Sequence, residues 1–307
     1  MMDTKDFQTV SELVEDYLSE RLLRPATCHL YGVIAKCWIT DTGLKSVENI
    51  STADVRKWRN TVLARASEET WNTYRRHMRA LWNHAVRNEV CKKNPFSDTA
   101  PARAPSLRKK TVDSGDLEQI LKALRNNGEA GLKIHPAWFW AIVVKTFYYT
   151  GIRRRQLIEL TWKDIDLNEA TIHLRAESSK THREWFIPIA QPLVPELENL
   201  HLLTTDQLQR PPRGREQVFN VTLFHSRFKG TVTTVDQLTG TFERLSKATN
   251  IRITPHRLRH TMATELAASK DIRTLQQLLG HTNIHTTMQY VHPDMDRMRG
   301  LLDEILL

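Results

Sequence analysis

The sequence predicts a mainly α-helical protein with a small antiparallel β-sheet, built as two domains. Three observations carry that prediction. Apolar residues recur at helical spacing through residues 9–88. They turn strand-like only in three short runs between residues 161 and 189. A stretch rich in proline and small residues, 95–110, parts the two halves, and 307 residues suffice for two ordinary cores. The expected boundaries are 1–100 for a helical domain, 101–112 for a basic Pro-rich linker and 113–307 for a second domain ending in an amphipathic helix.

Thr9-Val10-Ser11-Glu12 opens the first helix, with Leu13, Val14, Tyr17, Leu18 and Leu22 on its apolar face. Pro25 starts a second, whose stripe is Leu30, Val33, Ile34 and Cys37. Asp41-Thr42-Gly43 signals a turn, and Ser51 or Thr52 caps a third helix that turns Val55, Trp58 and Leu63 inward. The fourth helix, Ser67 to Asn88, gathers Trp71, Tyr74, Met78, Leu81, Trp82 and Ala85 on one face. Asn72, Arg76, Arg79, Asn83 and Arg87 fall opposite. That face suits a helix laid along DNA, with Arg on phosphates and Asn on phosphates or base edges. A solvated basic face is the plain alternative. Asn72, Arg76 and Arg79, with Arg108, Lys109 and Lys110 of the linker, are the candidate DNA contacts.

The second half begins with a helix from Asp113 or Ser114 to Leu124. Pro136 to Tyr149 is apolar enough for the middle of a core. Thr161-Trp162 with Ile165 and Leu167, then Thr171 to Leu174, then Trp185 to Ile189 read as three strands joined by polar turns. Leu193 to Leu203 and Thr234 to Thr249 are helical, as is nearly everything after Pro255.

The net charge of +9 favours an anionic partner, of which nucleic acid is the leading class. Cys28, Cys37 and Cys91 form no C-x-x-C pair, so neither a disulfide framework nor a zinc site is expected. The polar N-terminus lacks the apolar core of a signal peptide, and no apolar run approaches the ~20 residues that span a bilayer. The expected location is the cytoplasm, on the nucleoid, with no membrane contact.

The chemistry-bearing residues cluster late. His256 and Arg259 are three apart on a helix that Pro255 starts, and so share a face. His281 follows Leu279-Gly280, where glycine ends a helix. Tyr290 lies nine residues further on. Far upstream, Thr150-Gly151-Ile152-Arg153-Arg154-Arg155 breaks the apolar helix and starts a new one with arginines at its mouth. A phenol among arginines and histidines can hold a phosphate while the tyrosine attacks it; an exposed basic turn and a packed tyrosine are the alternatives for each piece alone.

Taken together, these pieces resemble the tyrosine recombinases of the phage integrase family. Thr150-Gly151-Ile152-Arg153-Arg154-Arg155-Gln156-Leu157-Ile158-Glu159-Leu160 resembles that family's T-G-x-R-x-x-E-L-x-x-L box. His256-Arg257-Leu258-Arg259-His260 is similar to its H-x-x-R-H box, and Leu279-Gly280-His281 with Tyr290 to its L-G-H and nucleophile spacing. Lys180, in Ser179-Lys180-Thr181, resembles its β-hairpin lysine, with Arg183 as the other cation available. Four boxes in order over 150–290 are far more specific than any one. The departure is Gln156, where the family usually has Glu; a Gln would hold Arg153 more weakly than a charged partner.

The resemblance implies an N-terminal, SAM-like core-binding domain and an α+β catalytic domain. It implies that Tyr290 attacks a DNA phosphorus, leaving a 3′-phosphotyrosyl link and a 5′-hydroxyl that later reseals. In that scheme Arg153 and Arg259 meet the transition-state charge, His256 takes the phenol proton, Lys180 protonates the leaving oxygen and His281 donates to the phosphate. No metal and no other cofactor is expected. The expected partners are double-stranded DNA at specific recombination sites, further copies of the chain in a tetramer on DNA, and an accessory directionality factor. An integrase of a phage or other mobile element is the leading reading. A sequence-specific DNA-binding protein without catalysis, and a topoisomerase of the type IB kind that relaxes DNA, are the alternatives.

Overall fold

The computed structural model describes residues 8–105, 110–126, 133–178, 183–269, 271–291 and 299. The chain divides into two compact units, Met1–Leu107 and Arg108–Leu307, each with its own apolar core. The protein is mainly helical with one small antiparallel sheet, as the sequence predicts.

The first unit holds helices α1 (Val10–Ser19), α2 (Pro25–Thr42), α3 (Thr52–Leu63) and α4 (Glu68–Arg87). Local chemistry sets most of their ends. Thr9 and Glu12 close a capping box on α1, and Ser51 and Asp54 close one on α3. Pro25 takes the first turn of α2, and Gly43 ends it in the left-handed conformation. The core is aromatic: Trp38, Trp58, Trp71, Trp82 and Phe96 are fully buried and meet mostly edge to face.

Three expectations are corrected here. Leu22 is fully exposed, because α1 ends at Ser19 and the chain must turn before Pro25 opens the next helix. On α2 the inward residues are Tyr31, Ile34, Ala35 and Trp38, while Val33 faces out. The proline-rich stretch does not start as a free linker. Asn94 hydrogen-bonds the Arg79 carbonyl and the Asn83 side chain, and Phe96 and Thr99 are buried.

Buried His84 of α4 is bracketed by Asp16, 2.7 Å from Nε2, and Glu20, 3.6 Å from Nδ1. Carboxylates at opposite ring nitrogens suit an imidazole with two acceptors better than one shared ion.

The second unit packs α5 (Ser114–Arg125), α6 (Ala137–Thr150), α7 (Arg154–Glu159), α8 (Val194–Leu208), α9 (Val235–Thr249), α10 (Pro255–Ala267), α11 (Ile272–Leu279) and α12 (Ile284–Met288). Its sheet has the order β1 (Ile165–Asp166), β2 (Thr171–Leu174), β3 (Trp185–Pro188), all antiparallel, with Ile172 opposite Ile187. Apolar α6 runs through the centre against α10. The first predicted strand is shorter than expected. Thr161 and Asp164 bond to each other across Trp162–Asp164, which winds that segment into one 3₁₀ turn. No described helix is long and apolar enough to cross a membrane.

Candidate active site

Four segments, distant in sequence, bring the site together. Gly151 ends α6 with φ +58°, and the chain turns so that Arg153 precedes α7. Thr254 caps α10 and Pro255 takes its first turn, which places Arg259 and His260 beside Tyr290, with His256 against His260. Gly280 ends α11 with φ +61° and delivers His281. Asn283 caps the short α12, after which Tyr290 turns back into the cluster.

Arg259 is the hub. It is 4% exposed. One arm of its fork donates to the Gly151 carbonyl at 2.5 Å, the other to the Leu279 carbonyl at 2.9 Å and to His281 Nε2 at 3.1 Å. The guanidinium also hydrogen-bonds the Tyr290 phenol. A single planar side chain thus ties the ends of α6 and α11 to the nucleophile candidate.

The electrostatics are those of a site short of negative charge. Burial first, and then the neighbouring positive charge of Arg153, lower the Arg259 pKa to about 10, against the opposing pull of Tyr290. Burial also lowers Arg153. Its Nη1 is buried and meets no acceptor among the described residues. Burial raises the Tyr290 phenol above its ordinary value, against the opposing pull of Arg259 and Arg153. Two guanidiniums crowd one neutral phenol, and an anion between them relieves both desolvation and repulsion.

Tyr290 is 4% exposed and sits between rings. His281 lies parallel to it at 6.2 Å between centroids and His260 tilts against it at 5.3 Å, while His256 stands edge-on to His260 at 4.3 Å. His260 carried no role in the sequence reading, yet it is the imidazole between His256 and the phenol. Its signal was its place one helical turn after His256.

The state of His281 follows from its partners. Arg259 has only donors, so His281 Nε2 accepts and the proton of the neutral ring is on Nδ1. Nδ1 lies 3.0 Å from the buried Thr287 hydroxyl. In this tautomer Nε2 cannot donate to a phosphate. When a phosphate oxygen takes over Arg259 and the ring proton exchanges through solvent from Nδ1 to Nε2, the Thr287 hydroxyl can rotate to donate into Nδ1 and hold that tautomer. Thr287→Val keeps the shape and removes that hydroxyl. We expect DNA strand cleavage to fall on the order of tenfold, and the melting temperature to fall as well, because the buried Nδ1 left without its partner costs about 1–3 kcal/mol. A single-turnover assay checks it; an unchanged rate would remove Thr287 from the site.

Gln156 is buried at the start of α7. Its Oε1 accepts the Arg153 backbone N–H at 3.0 Å, and its Nε2 has no partner among the described residues. It therefore holds the Arg153 backbone in place.

Lys180, Arg108, Lys109 and nearly all of the C-terminal segment expected to form an amphipathic helix lie outside the described residues. Arg183 is exposed just before β3. In the first unit Arg76 and Arg79 are exposed on α4. Asn72 is used otherwise: its side chain both donates to the Ala102 carbonyl, at 2.9 Å, and accepts from the Ala102 N–H, at 2.8 Å. It clips the departing chain to the helix. Lys110 is exposed at the start of the second unit.

The helical fold with its three-stranded sheet, and a buried tyrosine beside two arginines and two histidines with a third histidine behind, define one class of protein. The chain belongs to the phage integrase family, whose profile matches residues 110–297. It is 36% identical over 310 residues to a protein of Pseudomonas syringae provisionally named tyrosine recombinase XerC, covering 96% of this chain and 64% of that one. A protein of the same provisional name from Pseudomonas aeruginosa is 35% identical, covering 96% of this chain and 71% of its own length. The chain thus spans about two thirds of these relatives. Among solved structures it is similar to the Tn1549 transposon integrase in complex with a circular intermediate DNA, with a TM-score of 0.77 at 20% identity over 97% of this chain and all of that one. It is also similar to a lambda integrase dimer bound to a COC′ core site, with a TM-score of 0.71 at 20% identity over 95% of this chain and 78% of that one. These structural likenesses establish the fold.

Proposed function

We propose that the protein is a site-specific DNA recombinase that cleaves and rejoins strands through a 3′-phosphotyrosyl intermediate at Tyr290, and serves as the integrase of a phage or other mobile element. The observation that carries this reading is the arginine pair, half-buried Arg153 and buried Arg259, set around a buried phenol with their charge unanswered by a carboxylate among the described residues.

The chemistry balances with groups of this chain. The Tyr290 oxygen bonds to phosphorus as the bond to the 5′-oxygen breaks. The phenol proton leaves toward His256, at the exposed end of α10, and the 5′-oxygen gains a proton from Lys180. The arginine forks take the charge that builds on the non-bridging oxygens. The phosphotyrosyl bond keeps the energy of the phosphodiester, so a 5′-hydroxyl reseals it without ATP. Because Tyr290 is buried in the free protein, DNA binding has to open the way to it. The exposed arginines of α4 supply contacts to the backbone, and exchange between two duplexes needs several protomers. The recombinase names of the relatives support the reaction class. The structural match along the whole chain to a transposon integrase supports the choice of element.

Covalent trapping tests the proposal. Duplexes from the boundaries of the genomic segment that encodes the chain are nicked near the cleavage point, so that the released fragment diffuses away and the adduct persists. The wild type should give a band of protein linked to a DNA 3′ end, and Tyr290→Phe should give none. Tight specific binding without an adduct would favour a binding-only protein. Relaxation of supercoiled plasmids regardless of sequence would favour a topoisomerase.

A further inference from the structure

The turn that delivers His281 is gripped from two sides. Arg259 holds the Leu279 carbonyl from α10. From the sheet, Trp185 at the start of β3 donates its indole N–H to the Leu278 carbonyl at 3.2 Å. The same indole fills the space beside Gly280. A Cβ at Gly280 would fall 2.4–2.7 Å from ring atoms Cζ2, Cη2 and Cε2. Glycine is thus required twice over at this position: for its φ of +61° and for the ring against it. Trp185 is itself fixed in the sheet, opposite Leu174 of β2, which is buried in the main core.

We propose that Trp185 is a positioning residue for strand cleavage: its indole latches β3 to the Leu278–Gly280 turn and so sets where the His281 imidazole stands against Arg259 and Tyr290. The proposal rests on the recombinase reading. Among the described residues Trp185 bonds the Leu278 carbonyl rather than a reacting group, and it acts through the turn. Further ties of His281 include the local ones of Gln276 to its backbone and Thr287 to its ring. Arg259 and Trp185 hold the end of α11 by hydrogen bonds to its carbonyls, while Leu279 packs with Met262 and Ala263 of α10 and Leu278 against the main core. When a phosphate enters and draws on Arg259, the Trp185 bond is the one that keeps the turn in register. Catalytic geometry is sensitive to shifts of this size.

The test compares Trp185→Leu, which loses both ring and N–H, with Trp185→Phe, which keeps a ring against Gly280 and loses only the N–H. Each is made alone and with His281→Ala. Single-turnover cleavage of nicked duplex, DNA affinity and hydrogen exchange over residues 275–283 are measured on the full chain. We expect both variants to bind DNA as the wild type does and to exchange faster over 275–283. Cleavage should drop on the order of tenfold for Trp185→Phe and further for Trp185→Leu. In the His281→Ala background the added loss should shrink to less than about twofold, because the two residues act as one unit. Losses that multiply in full, or exchange that stays unchanged in both variants, would overturn the proposal. Absence of cleavage in the wild type would instead sink the recombinase reading. The exchange measurement would then decide the latch alone: faster exchange upholds it and unchanged exchange removes it.

Discussion

Arg259→Lys is expected to lower single-turnover cleavage by about 10²–10³, the loss typical of removing one preorganised donor from a transition state. The charge survives this change, so a purely electrostatic view predicts little. The geometry predicts much. The guanidinium serves Gly151 O, Leu279 O, His281 Nε2 and the Tyr290 phenol at once. A lysine has three donors on one point and cannot span carbonyls at the ends of two helices while also facing a phosphate. At least one buried carbonyl is left unpaired, at about 1–3 kcal/mol, so the melting temperature should fall as well. DNA affinity, carried largely by exposed cations, should hold within about threefold. Cleavage within tenfold of the wild type would show that charge alone is needed and that the fork is incidental.

The pH dependence of stability has a definite sign at this site. The Arg259 pKa is lowered to about 10 on folding, so from about 10 up to its ordinary value the unfolded chain binds more protons. Stability therefore rises with pH through that window as far as Arg259 is concerned, and below it the folded protein carries the full cost of a buried cation. Tyr290 works oppositely. Its folded pKa is raised, so its contribution is complete below the ordinary phenol range and is lost as pH rises through the raised value. At neutral pH the site is a charged arginine pair beside a neutral phenol, which is the state that favours an incoming phosphate.

Where local chemistry decides, the sequence was a good guide. Thr9 with Glu12 and Gly43 after Thr42 act on neighbours a few residues away, and the helix ends fall where those residues put them. Glycine before Arg153 and before His281 announced the two turns of the site. Where distant groups decide, the sequence was mute. Nothing near Asn72 shows that its side chain will close on Ala102, thirty positions later. Trp185 reads as a strand residue until the fold places Gly280 beneath its ring. The resemblance of the boxes implies that Arg259 is a phosphate ligand, but its grip on the Gly151 and Leu279 carbonyls arises only when α6, α10 and α11 meet. Val33 and Trp38 show the limit of periodicity: both fit a helical stripe, and only packing against Trp58, Trp82 and Phe96 selects the tryptophan.

Trp38→Ala should be the most damaging single change in the first unit. The side chain is fully buried, touches Trp58, Trp82 and Phe96 edge-on or tilted, and donates its indole N–H to the Leu44 carbonyl at 3.0 Å. Truncation removes the transfer free energy of the ring and leaves a cavity whose rigid aromatic walls collapse poorly, for a loss of about 3–5 kcal/mol. It also strands the Leu44 carbonyl beside the turn that ends α2. Each unit has its own core, so the loss should stay in the first. Calorimetry of the variant should show the transition of the first unit moved down in temperature and that of the second in place. Specific DNA binding should weaken with the first unit, while the hydrogen-exchange protection of 275–283 at the His281 turn stays as in the wild type. A single transition shifted as a whole would show that the two cores melt together, and would make the arginine face of α4 part of the same cooperative unit as Tyr290.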